Sequence, residues 1–398
     1  MLRRIVIVGA SLAGLRAAET LRARGFDGEL TIIGDEPHRP YDRPPLSKQV
    51  LQGTSDPEHA FFRRKDGYGA LALDMRLGVR AASVDLRVRR VTLADGTCAD
   101  YDRLIVATGA RARTLAGIAP RAGLFVLRSL DDAIALRREL TNASRVAIVG
   151  AGFIGLEVAA SCRARGLHVT VIEALPVPLS PILAPSLCEM VAAMHRDHGV
   201  DLRTGVAVTD VIGKSRIAGV ALSDGSRIDA DVVVVGIGVT PNTEWLEHSG
   251  LTLDNGIVCD GSGEAAPGVY AAGDVARVDN RWHGEALRIE HWTNAVEQGV
   301  HAAENALAGP AASTSFSSVP YFWSDQYDRK IQFIGVAGRH DEMVIVDGSV
   351  ADRRLTALFR RGDRVVACLA VNQPRALVAF RKLLAGRASW NAALADTL

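Results

Sequence analysis

The same strand-and-loop signature occurs twice in this chain. Residues 3–25 read RRIVIVGASLAGLRAAETLRARG, and residues 144–166 read SRVAIVGAGFIGLEVAASCRARG. Gly9, Gly14 and Gly25 return as Gly150, Gly155 and Gly166, each displaced by 141 positions. Each copy begins with a short β-branched run, residues 5–8 and 146–149, of the kind that fills a buried parallel strand. A glycine-rich turn follows, then a helix-period stretch that closes on a glycine suited to a C-terminal cap. Second strands are predicted at residues 30–33 and 168–172. Both copies are therefore β-α-β units, and the expected fold class is α/β.

The loops carry chemistry as well as geometry. In a strand–GxGxxG–helix element the first glycine makes the tight turn and the second lets a pyrophosphate approach the backbone. The third lets the helix pack on the strand, and the helix N-terminus faces the phosphates. The second copy, Gly150-Ala151-Gly152-Phe153-Ile154-Gly155, has all three. The first copy runs Gly9-Ala10-Ser11-Leu12-Ala13-Gly14, and its middle position keeps a small residue. Both read as Rossmann-type dinucleotide-binding units. Glu173 closes the strand HVTVI, 23 residues after Gly150, where a carboxylate accepts hydrogen bonds from a ribose 2′-hydroxyl. Ala174, Leu175 and Pro176 follow, with no arginine to receive a 2′-phosphate, so this site favours NAD over NADP. In the first copy the strand ends at Gly34, and either Asp35 or Glu36 is placed to meet a ribose. Two such sites in one chain suggest a flavin and a nicotinamide, one passing electrons to the other. Within GVYAAGDV, residues 268–275, Gly273 permits close approach and Asp274 offers an acceptor for sugar-chain hydroxyls.

Further buried strands are predicted at residues 103–107 and 231–235, running into Thr108-Gly109 and Gly236-Ile237-Gly238. Ser129 and Asp132 have the spacing of a capping box ahead of a helix ending near residue 140. From about residue 319 the pattern becomes antiparallel, with strands expected at 330–336, 342–346, 355–360 and 365–371. A helix with Pro374 in its first turn is expected to run to about residue 385. The net charge of +1 removes the compositional case for a nucleic-acid partner. Apolar runs such as 232–239 fall far short of the ~18 residues of a membrane helix. A strand pattern starting at Arg4 leaves no room for a secretory signal. The five cysteines, Cys98, Cys162, Cys188, Cys259 and Cys368, show no CxxC spacing and read as buried small hydrophobes in a reducing cytoplasm. His195 and His198 stand three apart with no third ligand in view, and are expected to be exposed helix residues rather than a metal site.

At PYDRPPLSK (40–48), ATG (107–109), AAGD (271–274) and YFWSDQY (321–327) the chain resembles the FAD-dependent, NADH-using ferredoxin reductases. These serve haem monooxygenases and aromatic-ring dioxygenases. The resemblance runs from about residue 3 to 385 and implies a glutathione-reductase-like fold. It implies an FAD domain of residues 1–110 and 241–317, an NAD domain of 111–240 and a C-terminal α+β domain of 318–398. It also implies roles for matching residues. Arg43, Ala107, Thr108, Gly109 and Arg128 would contact FAD, with Ala81 at its adenine end and Asp274 at its ribityl chain. His291 and Trp292 would open a helix whose positive end faces the flavin pyrimidine edge. Trp323 would lie near the flavin. Lys48 would sit beside the ring, paired with Glu157, and these two are the catalytic candidates. Gly238 joins the nicotinamide side. Where disulfide reductases of this fold carry a redox cysteine pair, this chain has Arg43-Pro44-Pro45-Leu46, which argues against thiol chemistry. The implied activity moves electrons from NADH through FAD to a [2Fe–2S] ferredoxin docking near Arg39, Arg63, Arg64 and Arg329. Two alternatives stay open: an NADH oxidase or quinone or small-molecule reductase of the same fold, and an apoptosis-inducing-factor-type flavoprotein acting by partner binding.

Overall fold

In the strand Arg4–Val8, Ile5 and Ile7 belong to one hydrophobic core and Val6 and Val8 to another. The second copy repeats this in the strand Arg145–Val149, with Val146 and Ile148 in one core and Ala147 and Val149 in another. A strand buried on both faces belongs in a parallel sheet covered on both sides, and the computed structural model builds two such sheets. It describes residues 2–62, 65–180, 182–338 and 340–395. Their contacts gather into two units: Met1–Asp42 with Phe61–Arg111 and Thr240–Tyr321, and Arg43–Ala60 with Ala112–Val239 and Phe322–Leu398.

In the first unit the sheet order is Glu264–Ala266, Val269–Ala271, Arg103–Val106, Arg4–Val8, Glu29–Gly34, Asp74–Leu77, and only the Glu264–Ala266 edge strand pairs antiparallel. The helices Leu12–Ala23 and Trp292–Ala308 cover the Ile5 and Ile7 face. A three-stranded antiparallel layer (Ala81–Asp85, Arg90–Leu93, Cys98–Asp100) supplies Val84, Val91 and Leu93 to the other face.

In the second unit the order is Val200–Thr204, His168–Glu173, Arg145–Val149, Val232–Val235, Leu124–Val126, all parallel. The C-terminal sheet runs Tyr321–Gln326, Arg329–Gly335, Arg364–Val371, Arg354–Arg361, Glu342–Ser349. One hydrophobic cluster joins it to the nucleotide-type sheet, from Val146 and Ile148 through Leu187 to Phe333, Leu355 and Phe359. The helix Pro374–Ala385 stands where the sequence places it, and a short helix, Trp390–Ala395, follows it.

The duplication extends to a detail the sequence pattern does not announce. Asp102 Oδ2 accepts the backbone N–H groups of Arg3 and Arg4 at 2.8 and 2.9 Å, tying two neighbouring strands together at their start. Asp231 Oδ2 does the same for Ser144 and Arg145, both at 2.9 Å. Burial raises the Asp102 carboxyl, but the Arg3 and Arg4 amides and the Arg4 guanidinium outweigh it and hold the pKa below its ordinary value. The Ser144 N–H is the chief cause of the same lowering at Asp231. Among the described residues no helix is long and apolar enough to cross a membrane.

Candidate functional site

The second glycine loop opens a cleft of about 390 Å³ lined by Gly150, Gly152, Ile172, Glu173, Gly236 and Gly238, with Leu115, Val206 and Val208 as apolar wall. Gly150 has φ +103°, and a Cβ there would lie 2.4 Å from the Gly236 carbonyl oxygen. A Cβ on Gly155 would lie 2.1 Å from the Gly150 oxygen, so these two glycines serve the fold. Gly152 differs: a Cβ there would meet nothing within 4 Å. The open space above it suits a pyrophosphate. Glu173 is held at the rim, where Oε2 accepts the Ala151 N–H at 2.7 Å and Oε1 the Leu175 N–H at 2.8 Å. Among the described residues no lysine or arginine lines the cleft.

The helix Phe153–Ala164 starts from Gly152 with no side-chain cap and no acid in its first turn. The helix Leu12–Ala23 starts from Ser11 in the same way, since the Ser11 hydroxyl makes no capping bond. Pro185–Asp197, Trp292–Ala308 and Pro374–Ala385 also lack a side-chain cap, but none of them follows a glycine loop at the end of a strand. At Leu130–Glu139, Ser129 and Asp132 form the expected capping box. First-turn N–H groups left uncapped beside a glycine loop are free to receive phosphate oxygens. Both loops thus fit a dinucleotide.

In the first unit Gly9 has φ +123°, and a Cβ on it would lie 2.0 Å from the Ala107 carbonyl oxygen. The Thr108-Gly109 turn is clipped to Asn242: Thr108 Oγ1 donates to its carbonyl oxygen at 2.9 Å, and its Nδ2 returns a bond to the Thr108 oxygen at 2.9 Å. Of the two candidate ribose acids, Asp35 is exposed, whereas Glu36 is half-buried and accepts from the Tyr41 hydroxyl at 2.5 Å. Ala81 is buried at the start of its strand. Gln298 accepts the Gly273 N–H at 2.9 Å, which fixes the turn carrying Asp274. His291 is the N-cap of the helix Trp292–Ala308, and Trp292 Nε1 donates to Asp42 at 2.7 Å. Burial pushes the His291 imidazole down to about 4 against the pull of Asp274, so the ring is neutral near pH 7.

Within the second unit Lys48 and Glu157 meet. Lys48 Nζ lies 2.6 Å from Glu157 Oε2, with side-chain exposures of 10% and 3%. Pro44-Pro45 start a short 3-10 turn that delivers Lys48, whose ammonium also donates to the Pro44 carbonyl at 3.2 Å. Glu157 accepts from Ser47 Oγ at 2.6 Å and Ser324 Oγ at 2.7 Å. Phe322, two positions before Ser324 on the strand Tyr321–Gln326, packs on Phe153, four before Glu157, at 4.9 Å between ring centres. The two-residue repeat of the strand thus runs beside the helical repeat. Trp323 alternates away from that line and is half-buried. Arg43 Nη1 donates to the Arg128 carbonyl at 2.5 Å, joining those two residues. Ile154 is 51% exposed beside the glycine loop.

Two expectations are corrected. His195 is fully buried, because it falls on the apolar stripe of the helix Pro185–Asp197 with Leu187, Cys188 and Val191. That spacing was the available signal. Cys98 is exposed, whereas the other four cysteines are buried. Burial pushes the thiols of Cys162 and Cys259 up to about 12, so neither supplies a thiolate. Among the described residues no group of three or more His, Cys, Asp or Glu is arranged to hold a metal. Arg39 stacks over Phe61 at 4.3 Å and Arg329 pairs with Asp328 at 3.0 Å, while Arg63 and Arg64 lie outside the described residues.

Two dinucleotide-type loops, each at the carboxyl end of a parallel sheet, define the class. The chain belongs to the pyridine nucleotide-disulphide oxidoreductase family, which it matches over residues 3–299, and residues 321–397 match the reductase C-terminal family. It is 40% identical over 390 residues to the ferredoxin–NAD(+) reductase component of the anthranilate 1,2-dioxygenase system of Burkholderia cepacia, covering 96% of this chain and 94% of that protein. Putidaredoxin reductase of Pseudomonas putida is 36% identical over 378 residues, covering 93% and 89%. Among solved structures, the covalent putidaredoxin reductase–putidaredoxin complex superposes with a TM-score of 0.92 at 34% identity, over 97% of this chain and 93% of the other.

Proposed function

We infer that this chain is an FAD- and NADH-dependent oxidoreductase that delivers electrons to a ferredoxin. The observation that carries this is the pair of uncapped glycine-loop helices, Leu12–Ala23 and Phe153–Ala164, in a chain with prolines at the place of a redox cysteine pair. Bound FAD would supply the redox chemistry that links two-electron NADH to a one-electron acceptor. Gly9, Ser11, Leu12, Ala13 and Gly14 hold the FAD pyrophosphate, and Asp35 or Glu36 its ribose. Arg43, Ala81, Ala107, Thr108, Gly109, Arg128, Gly273, Asp274, His291, Trp292 and Trp323 complete that site. Gly150, Gly152, Phe153, Ile154, Gly155, Glu173 and Gly238 hold NADH, with Glu173 reading the ribose diol. Lys48, paired with Glu157, takes the flavin-side place that the family resemblance assigns. The functional division follows: residues 1–110 and 241–317 for FAD, 111–240 for NAD, 318–398 for the C-terminal domain.

The relatives named for putidaredoxin and for a dioxygenase system support a ferredoxin as acceptor, and the family resemblance adds that it is a small [2Fe–2S] protein serving a haem monooxygenase or ring dioxygenase. We place the protein in the cytoplasm, with the ferredoxin docking near Arg39, Arg63, Arg64 and Arg329. The test is NADH-driven reduction of cytochrome c by the FAD-loaded protein, with and without a [2Fe–2S] ferredoxin. A large acceleration by the ferredoxin is expected. Equal rates in both arms would remove the ferredoxin from this reading.

A further inference from the structure

A hydrogen-bonded chain of side chains leads away from the Lys48–Glu157 pair. Ser324 Oγ lies 2.7 Å from Glu157 Oε1, and Gln326 Nε2 lies 3.0 Å from Ser324 Oγ. His195 Nε2 is 2.9 Å from Gln326 Oε1, and the Tyr327 hydroxyl is 3.0 Å from His195 Nδ1. Ser324, Gln326 and His195 are all fully buried. Tyr327, at the far end, is half-buried and stacks on His198 with 3.6 Å between ring centres.

The charge at Glu157 gives this chain a direction. A carboxylate taken out of water needs its oxygens filled with donors. Oε2 has Lys48 and Ser47; Oε1 has Ser324. The Ser324 hydroxyl donates its single proton to Oε1, and the Gln326 amide nitrogen donates to the serine oxygen, which leaves that proton aimed at the carboxylate. Gln326 is held that way round because its carbonyl accepts His195 Nε2–H. With Nε2 carrying the hydrogen, Nδ1 is left to accept from the Tyr327 hydroxyl, which suits either role. Burial pushes His195 down to about 4, so the ring is neutral near pH 7. Turned over, the Gln326 carbonyl would face the serine oxygen lone pairs and compete with Oε1 for its single proton. Aligned bonds of this kind polarise one another towards the charge.

We propose that Ser324, Gln326 and His195 are positioning residues that fix Glu157 in one orientation and, through it, aim the Lys48 ammonium. None of them need touch substrate or cofactor. The consequence for hydride transfer rests on the flavin-side place given to Lys48 above, so the experiment separates the two ideas.

Ser324→Ala removes the donor to Oε1. The double variant His195→Leu/Gln326→Met removes two buried partners together, so neither is left facing the other unpaired. In each FAD-loaded variant, Lys48 reactivity towards limiting acetic anhydride is read by mass spectrometry, with Lys65, Lys214, Lys330 and Lys382 as internal references. Stopped-flow reduction by NADH is measured beside it. Lys48 is expected to acetylate about three- to tenfold faster, and the limiting reduction rate to fall by about the same factor, the scale of one hydrogen bond. The NADH concentration giving half the limiting rate stays unchanged. Wild-type acetylation of Lys48 in both variants would overturn the proposal. Faster acetylation of Lys48 in these two variants, with wild-type reduction both in them and in Lys48→Ala, would uphold the chain and overturn the flavin-side role of the lysine.

Discussion

Glu173 illustrates how one residue sets a preference. Its oxygens are committed to the Ala151 and Leu175 amides, which hold the carboxylate at the cleft rim with lone pairs left for a ribose diol. The same negative charge opposes a 2′-phosphate, and no cation in the lining offsets it. NADH is therefore expected to be preferred over NADPH in kcat/KM. A charge-assisted bond contributes ~1.5–3 kcal/mol, so Glu173→Ala should raise the NADH Michaelis constant about tenfold or more and narrow the preference. Equal use of both nucleotides by the unmutated protein would count against this role. Lys48 makes the opposite kind of case. Removing one member of a buried pair leaves the other charge uncompensated, at a cost of about 3–5 kcal/mol. Lys48→Ala should lower the melting temperature and slow stopped-flow flavin reduction with FAD still bound; reduction at the wild-type rate would release Lys48 from its assigned place.

At the scale of elements, the two glycine loops separate fold from function. Gly155→Ala drives a methyl into the Gly150 carbonyl, and overpacking of this sort costs about 1–3 kcal/mol. Gly152→Ala meets no protein atom, and its φ of −76° suits any residue. It should leave thermal stability intact while raising the NADH Michaelis constant about tenfold, the scale of one misplaced methyl group. An unchanged NADH Michaelis constant in Gly152→Ala would remove Gly152 from the pyrophosphate site. The strand clips give a pH signature. Asp102 and Asp231 are depressed below their ordinary 3.8 in the folded chain, so their stabilisation is fully present above that value and fades as pH falls through the lower folded pKa. Asp231→Asn should melt earlier than wild type at pH 6, with the gap closing in acid below about pH 4. Much of this architecture was legible because the sequence states it twice: strand, glycine turn, helix and second strand share one spacing. The clips escaped because one aspartate before a strand is common and its partners lie some 90 residues away. The Lys48–Glu157 contact spans 109 positions, so periodicity could not reveal it, and only the family resemblance suggested it. His195 carries a polar side chain at a buried position, and the stripe of Leu187, Cys188 and Val191 is the sequence signal for that burial.

At the scale of the whole molecule, what matters is where electrons can leave. The chain has no cysteine pair at the place where thiol reductases of this fold carry one, and among the described residues no cluster of ligands for a metal. The acceptor proposed above is a separate ferredoxin. With a net charge of +1 the protein exerts little long-range pull as a whole, so attraction to an acidic ferredoxin has to be local. Arg329 shares its charge with Asp328, and Arg39 lies over Phe61, so each offers a partner a modest charge rather than a strong one. Encounter between exposed charges is screened beyond ~10 Å at 0.1 M salt but reaches ~30 Å at 0.01 M. Complementary charge acts mainly on the association rate. Ferredoxin-dependent cytochrome c reduction by NADH should therefore fall by about tenfold between those salt concentrations when ferredoxin is scarce. Flavin reduction by NADH, followed in the same buffers without ferredoxin, should barely change. A ferredoxin-dependent rate indifferent to salt would exclude the arginine patch and leave docking to apolar contact. Rapid consumption of dioxygen or quinone without ferredoxin would instead move the protein to the oxidase or small-molecule reductase branch of its family.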